Sequence, residues 1–252
     1  MRYALLVAYD GSAYGGWQIQ KNAVTVQEKL SYALEQTFGR RINIIASGRT
    51  DSGVHAAGQV CHFDAETNIP AERIADALNF RLPEDISVLK SVEAPFGFDC
   101  SKSVKKKTYC YRIYLSPVRI PLLDRYCVQV NYPVNIEKLA TAGKMFTGEH
   151  DFKAYCAAGS NVKTTVRTIY SVEIAKDPVP YCDCVKISVT GNGFLYNMVR
   201  TLAGTMLGYA SGRIPEDRII RSLKICDRNS VGKTMPARGL TLESVDYGFK
   251  LF

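Results

Sequence analysis

From Arg2 to Val92 the hydrophobic period switches between two and 3.6, and each switch carries its own punctuation. Arg2 to Tyr9 is rich in β-branched and aromatic residues and reads as a strand, ended by the turn-forming run DGSAYGG. Thr25 opens a helix as a capping box with Glu28. Val26, Leu30, Ala33, Leu34 and Phe38 then recur at helical spacing until Gly39 stops it. Strands follow at Ile42 to Ala46 and Gln59 to Phe63, joined by a β-hairpin or a longer antiparallel connection. Asn68 and Pro70 open a second helix to about Leu82, before a strand from Ile86 to Val92.

Strand, helix, strand, strand, helix, strand is the split βαβ order of ferredoxin-like and RNA-recognition folds. The second half approximately repeats it. Strands near Lys107 to Leu115 and Arg125 to Val130 precede a helix from Asn135 to about Phe146. Strands Thr165 to Ala175 and Val185 to Thr190 come next, then a helix from Phe194 to about Tyr209, a short helix near Pro215, and a last strand ending in VDYGF. The fold class expected is therefore α+β, as two such halves with antiparallel sheets. The boundary falls within Pro95 to Ser103, so the units expected are 1–100 and 101–252.

The 252 residues suffice for a large core, and 46% hydrophobic with 22% charged residues is ordinary globular composition. No apolar run approaches the roughly 20 residues that cross a bilayer. Met1 to Tyr9 leads directly into a strand, with no signal-peptide core, so a cytoplasmic protein is expected. The eight cysteines include no CxxC pair, and Cys182 and Cys184, the two that stand together, lie far in sequence from His55, His62 and His150, so reduced, mostly buried thiols are expected and no metal site. Lys and Arg exceed Asp and Glu by 32 to 24, a balance that suits a polyanionic partner. Lys102, Lys105, Lys106 and Lys107 cluster mid-chain, and Arg213, Arg218, Arg221, Lys224, Arg228, Lys233 and Arg238 crowd the last fifth. Such runs are either solvated faces or a phosphate-binding footprint.

The segment ASGRTDSGVHAAGQ, Ala46 to Gln59, puts Asp51 beside the fixed cation of Arg49, with Gly48 and Gly53 on either side. Glycine there lets the backbone turn sharply and approach a ligand. An acid held this way serves as nucleophile or base, whereas the tripeptide Asp-Ser-Gly alone is ordinary turn chemistry. This segment resembles the central motif of the TruA family of tRNA pseudouridine synthases. So do YDGSAYGGWQIQ (Tyr9 to Gln20), KTYCYRI (Lys107 to Ile113), GFLYNMVR (Gly193 to Arg200) and GLTL (Gly239 to Leu242), in the family's order.

The resemblance implies two α+β halves meeting at a central catalytic cleft, no metal and no cofactor, and a homodimer in which tRNA touches both subunits. It implies isomerisation of uridine to pseudouridine at positions 38, 39 and 40 of the anticodon arm. Asp51 matches the family's catalytic aspartate. Whether it adds to the base, attacks the sugar carbon or removes a sugar proton stays open. Arg200 is implied as its ion-pair partner, Tyr109 as the tyrosine stacking on the extruded uracil, and Leu240 as the apolar neighbour of the site. Arg49 resembles the residue that takes the vacated place of the flipped base. Lys105, Lys106 and Lys107 are candidate RNA-backbone contacts. From the pattern alone, a helix begun at Phe194 turns Leu195, Met198, Val199, Leu202 and Met206 to the core, with Arg200 at the margin and the small residues Ala203 and Gly204 on its side. Tyr109 and Tyr111 are read as facing opposite sides of a strand. Cys110, Ser101, Val104 and Met235 depart from the family's usual residues.

Two other classes are compatible with parts of the pattern. A non-catalytic RNA-binding module needs no Asp51 beside Arg49 and Arg200. A metal-dependent hydrolase on Asp51 and His55 lacks a helix to align the two and further ligands.

Overall fold

The computed structural model describes residues 1–157, 159, 162–177, 179 and 182–252. Their order is β1 (Arg2–Tyr9), α1 (Val26–Phe38), β2 (Ile44–Ala46), β3 (His55–Asp64), α2 (Ile74–Asn79), β4 (Ile86–Glu93), β5 (Lys106–Leu115), β6 (Val128–Val130) and α3 (Ile136–Met145). Next come β7 (Gly148–Asp151), β8 (Val166–Lys176), β9 (Asp183–Gly191), α4 (Met198–Ala210), α5 (Glu216–Lys224) and β10 (Leu240–Asp246), a mixed α+β fold. The chain divides into two compact units, Met1–Lys107 with Thr241–Phe252, and Thr108–Leu240.

In the first unit the strands run β4-β1-β3-β10, with β2 also on β3. The first four strands thus stand in the order 4-1-3-2 of the split βαβ motif. β1 pairs antiparallel with both neighbours, Leu5 opposite Cys61 and Ser91. The capping box forms as the sequence reads: Thr25 Oγ1 accepts from Glu28 N–H, and Glu28 Oε2 accepts from Thr25 N–H, both at 3.3 Å. Gly39 ends α1 in the left-handed region, φ +68°, where its N–H reaches Glu35 O.

Both faces of this sheet are covered, which is why β1 is apolar at nearly every position. On one face Phe63 packs between Tyr3 and Phe38 of α1, each pair of ring centroids 5.6 Å apart. On the other, Ala4 and Val60 are buried with Phe98, Cys100 and Tyr247. Fully buried side chains such as Leu5, Leu30 and Leu34 each contribute about 1.5–3 kcal/mol of transfer free energy.

The structure shortens β2, which starts at Ile44, and lengthens β3, which starts at His55. His55 and Gln59 are polar yet buried, so periodicity hides the start of that strand. The second helix is a 3₁₀ turn, Ala71–Arg73, followed by α2. Neither Pro70 nor Arg73 supplies a side-chain cap that could start a longer helix.

In the second unit the order is β5-β9-β8-β7, with β6 on β5. β5, β9 and β8 stand as strands 1-3-2 of the same motif. The hydroxyls of Thr108 and Thr190 join β5 to β9 at 2.9 Å. α3 lies against β8 so closely that a Cβ on Gly143 would come 2.8 Å from Val172 Cγ1. β7 is hidden in the sequence as GEHD, with no apolar alternation to mark it. β6 is only three residues long because 120–127 turn on themselves, Cys127 N–H reaching Leu123 O.

Two pairings depart from the antiparallel expectation. β10 meets β3 in parallel at Thr241–His55 and Leu242–Ala56, and β6 meets β5 in parallel. The cysteines are free thiols; Cys61, Cys100, Cys110, Cys127 and Cys184 are buried, and Cys156, Cys182 and Cys226 half-buried. Among the described residues no helix is long and apolar enough to cross a membrane.

Candidate active site

The Asp51 loop joins β2 to β3, and the Tyr9–Gln20 segment wraps it. Trp17 N–H donates to Thr50 O at 3.1 Å, and Gly53 N–H donates to Tyr14 O at 3.3 Å. The hydroxyls of Tyr9 and Thr50 share a buried hydrogen bond of 2.7 Å. Asp51 O accepts from Val54 N–H at 3.1 Å, closing a turn in which Gly53 has φ +76°. Gly16, at φ +93°, is a point of close approach: a Cβ there would lie 2.5 Å from Thr50 O. The two motifs are thus one structure, the first holding the backbone on both sides of Asp51.

The residues leading into the loop are held from below. Ser47 Oγ donates to Gln59 Oε1 at 2.7 Å, Gln59 Nε2 donates to Gly48 O at 2.8 Å, and Lys107 Nζ donates to Ser47 O at 2.7 Å. Asp51 is half-buried, and Arg49 is exposed with its Nε on Gln18 Oε1 at 3.1 Å. His55, four residues on, is buried: its Nδ1 lies 3.0 Å from Gly11 N and 3.1 Å from Asp10 Oδ1. That is a packing role behind the loop, and it removes the support for a hydrolase built on Asp51 and His55. Among the described residues no group of three or more His, Cys, Asp or Glu is placed to hold a metal ion.

The second unit carries the other three named residues, Tyr109, Arg200 and Leu240. Tyr109 is buried, its ring edge-on to Phe194 with centroids 5.2 Å apart. Tyr109 and Tyr111 are two residues apart on β5 and so share one side of the strand, which corrects the reading of opposite sides: the side-chain period of a strand is two. Tyr111 donates its hydroxyl to Pro236 O at 2.8 Å. Arg200 Nε donates to Met235 O at 2.7 Å and its Nη1 to Asn197 Oδ1 at 2.6 Å. Leu240 is buried at the head of β10, after the turn Ala237–Gly239. Gly239 lets that turn pass β5, since a Cβ would lie 2.9 Å from Arg112 O.

α4 begins at Met198 and not Phe194, because Asn197 is left-handed at φ +61° and breaks the helical run. Leu195, Met198, Val199, Leu202 and Met206 are buried as the stripe implies, and Arg200 is half-buried. Gly204 has its packing role: a Cβ there would sit 1.9 Å from Lys233 O. That close approach carries the 232–235 segment along α4, so Met235, a departure from the family pattern, acts through its carbonyl on Arg200.

The lysines separate. Lys105 is exposed, Lys106 Nζ lies 3.4 Å from the Asp246 carboxylate, and Lys107 is turned inward to Ser47. Burial lowers the Lys107 pKa to about 8. Several cations of the last fifth are engaged locally: Arg213 lies 3.7 Å above the Tyr132 ring, Arg228 donates to Ala154 O at 2.7 Å, and Arg218 bonds Asn229 O. Sequence reasoning did not single out Tyr9, Gly16, Trp17 or Gln59. Their signal was membership of the same matched segments.

The sequence family described as tRNA pseudouridine synthase matches residues 5–101 and 142–248. The tRNA pseudouridine synthase A of Thermoanaerobacter sp. (strain X514) is 42% identical over 243 residues, covering 96% of this chain and 98% of that protein. Its namesake from Bacillus subtilis (strain 168) is 41% identical over 249 residues, covering 98% and 99%. A solved Cbf5-Nop10-Gar1 complex shows a slight likeness, with TM-score 0.37 and 12% identity over 81% of this chain and 45% of that one. The chain belongs to the tRNA pseudouridine synthase family, in its TruA branch. It is an isomerase that converts uridine to pseudouridine in tRNA.

Proposed function

We propose that Asp51 is the carboxylate that carries the reaction, and that the target uridines lie in the anticodon arm. Isomerisation breaks the bond from N1 to the sugar, turns the base and joins C5 to the same sugar carbon, while the C5 proton is lost and N1 gains one. Adding to the base, attacking the sugar carbon and removing a sugar proton all need one carboxylate held at a fixed place.

The observation that supports Asp51 most is its backbone: Thr50 O, Thr50 Oγ1, Asp51 O and Gly53 N–H are each bonded to a group of the same unit. Pre-organisation of this kind is what a reacting group needs, because its geometry must already be correct when the base leaves the stack. Arg49, exposed beside it, is the long planar cation that takes the place of the extruded base. Tyr109 stacks on the uracil, Leu240 supplies an apolar wall, and Arg200 keeps the carboxylate ionised. Lys105 and Lys106 contribute backbone contacts. Family resemblance supports a cytoplasmic homodimer bound to the anticodon stem-loop, with neither metal nor cofactor in the chemistry.

The test is to map pseudouridines in tRNA from cells lacking the protein and restored with wild type or Asp51→Asn. Loss of anticodon-arm pseudouridines that only wild type restores is the expected result. Full restoration by Asp51→Asn would remove the assignment.

A further inference from the structure

We propose that Lys107 is a positioning residue for the Asp51 loop and does not contact the RNA backbone, an inference that rests on reading Asp51 as the catalytic carboxylate. The lysine run invites the opposite view, yet the three side chains do different things. The Lys107 ammonium points inward and donates to Ser47 O at 2.7 Å. Ser47 is buried, its N–H on Val60 O and its hydroxyl on Gln59, so this carbonyl belongs to the rigid end of the loop. Gln59 holds the next carbonyl, that of Gly48. Two inward-facing side chains from two strands therefore fix the consecutive peptides that lead into Arg49, Thr50 and Asp51.

Gly48 is the residue that makes room. A Cβ there would lie 2.5 Å from Lys107 Nζ, well inside any real contact, so a side chain at position 48 would push the ammonium from its present place beside Ser47 O. The glycine and the lysine, fifty-nine positions apart, are two halves of one arrangement. An ammonium placed for phosphate would keep its charge in water; this one is half-buried and turned to a backbone carbonyl, and burial lowers its pKa to about 8. The titratable neighbour that faces it is Cys100, whose thiol burial pushes up to about 12 and so keeps neutral at working pH. Among the described residues no carboxylate offsets the cost of burying the lysine; what the burial achieves is the position of the loop.

The experiment measures steady-state kinetics and tRNA binding against salt for wild type, Lys107→Met, Gly48→Ala and the double variant, with Asp51→Asn alongside. Misplacing a reacting group by about 1 Å costs on the order of 100-fold, so Lys107→Met should lose about that much in kcat. Its tRNA Kd should stay within about twofold and its slope of log affinity against log salt should not change. Gly48→Ala, which displaces the ammonium with the lysine still present, should lose kcat likewise, and the double variant should be no worse than the poorer single one. A slope shallower by about 0.7–0.9 with kcat retained at saturating tRNA would make Lys107 a backbone contact and overturn the proposal. Additive losses in the double variant would also overturn it. Should Lys107→Met fail to fold, Gly48→Ala decides alone, and wild-type kcat in that variant is the overturning result. Turnover by Asp51→Asn would instead remove the reading of Asp51, an outcome separate from either.

Discussion

Tyr9 and Thr50 share a buried hydroxyl–hydroxyl hydrogen bond of 2.7 Å, one residue before the proposed catalytic carboxylate. Tyr9 is the last residue of β1, and burial raises its phenol pKa far above the ordinary value, so the ring stays neutral. A central strand thus reaches the loop through one side chain. Tyr9→Phe leaves the Thr50 hydroxyl without this partner, at a cost of about 1–2 kcal/mol. Urea unfolding should show the lower midpoint with an unchanged slope. A kcat reduced by about tenfold should accompany it, since the loop backbone loses a fixed point.

Asp51→Asn keeps the shape of the loop and removes the charge. Pseudouridine formation should fall below detection, with tRNA affinity within about tenfold, roughly 1.4 kcal/mol, because many cations supply affinity and one carboxylate the chemistry. Filter binding and a tritium-release assay on the same preparation would separate the two. Appreciable turnover contradicts the role given to Asp51.

Arg200→Met deprives Met235 O and Asn197 Oδ1 of their donor. About 1–3 kcal/mol of stability should be lost through those acceptors, and kcat should fall much further than KM rises. Arg200→Lys should recover little of either, since a point ammonium does not reproduce two fixed N–H directions. Equal activity of the arginine and methionine proteins would show that only packing matters at this position.

Removing Lys105 and Lys106 together should reduce the slope of log tRNA affinity against log salt by about 0.7–0.9 for each phosphate they neutralise. Lys106 is already 3.4 Å from Asp246, so its share should be the smaller one and should grow when Asp246→Asn frees it. An unchanged slope would move the footprint elsewhere on the protein.

Lys107 also gives a pH signature in stability. Its folded pKa of about 8 lies below the ordinary 10.5, so between those values the unfolded chain binds more protons than the folded one. Stability contributed by this group is complete above pH 10.5 and is lost as pH falls through 8. Buried tyrosines such as Tyr9 and Tyr111 act oppositely at the alkaline end, their raised pKa values favouring the folded state's proton. The difference between wild type and Lys107→Met isolates the lysine: it should shift in favour of wild type from pH 8 to 10.5 in urea unfolding. A flat difference would mean that the ammonium is solvated.

The elements that were legible share a local cause. The Thr25–Glu28 capping box, the left-handed Gly39 and the Asn135 cap depend on side chains within four residues of the backbone they satisfy, so their signals lie inside a short window. The late start of α4 depends on the left-handed Asn197, and β7 on pairing with β8, which no alternation in GEHD announces. Arg200 was marked by its motif, but its partners Met235 and Asn197 were not, since one is a backbone carbonyl thirty-five positions away.

By itself the sequence determined the α+β element order, the family, the reaction and the loop that bears Asp51, because periodicity, caps and matched motifs are written in neighbouring residues. Only the tertiary structure decided that the Tyr9–Gln20 segment is the scaffold of that loop, that Gly16 is a glycine because Thr50 O comes within 2.5 Å of its missing Cβ, that the Lys107 ammonium lies over Gly48, and that Lys107 faces inward while Lys105 faces water. Three adjacent lysines carry the same charge and the same local propensity. Lys105 stands before β5, while Lys106 and Lys107 alternate across it, and the group each one meets, Asp246 or Ser47 O, is set by pairings between residues far apart in the chain.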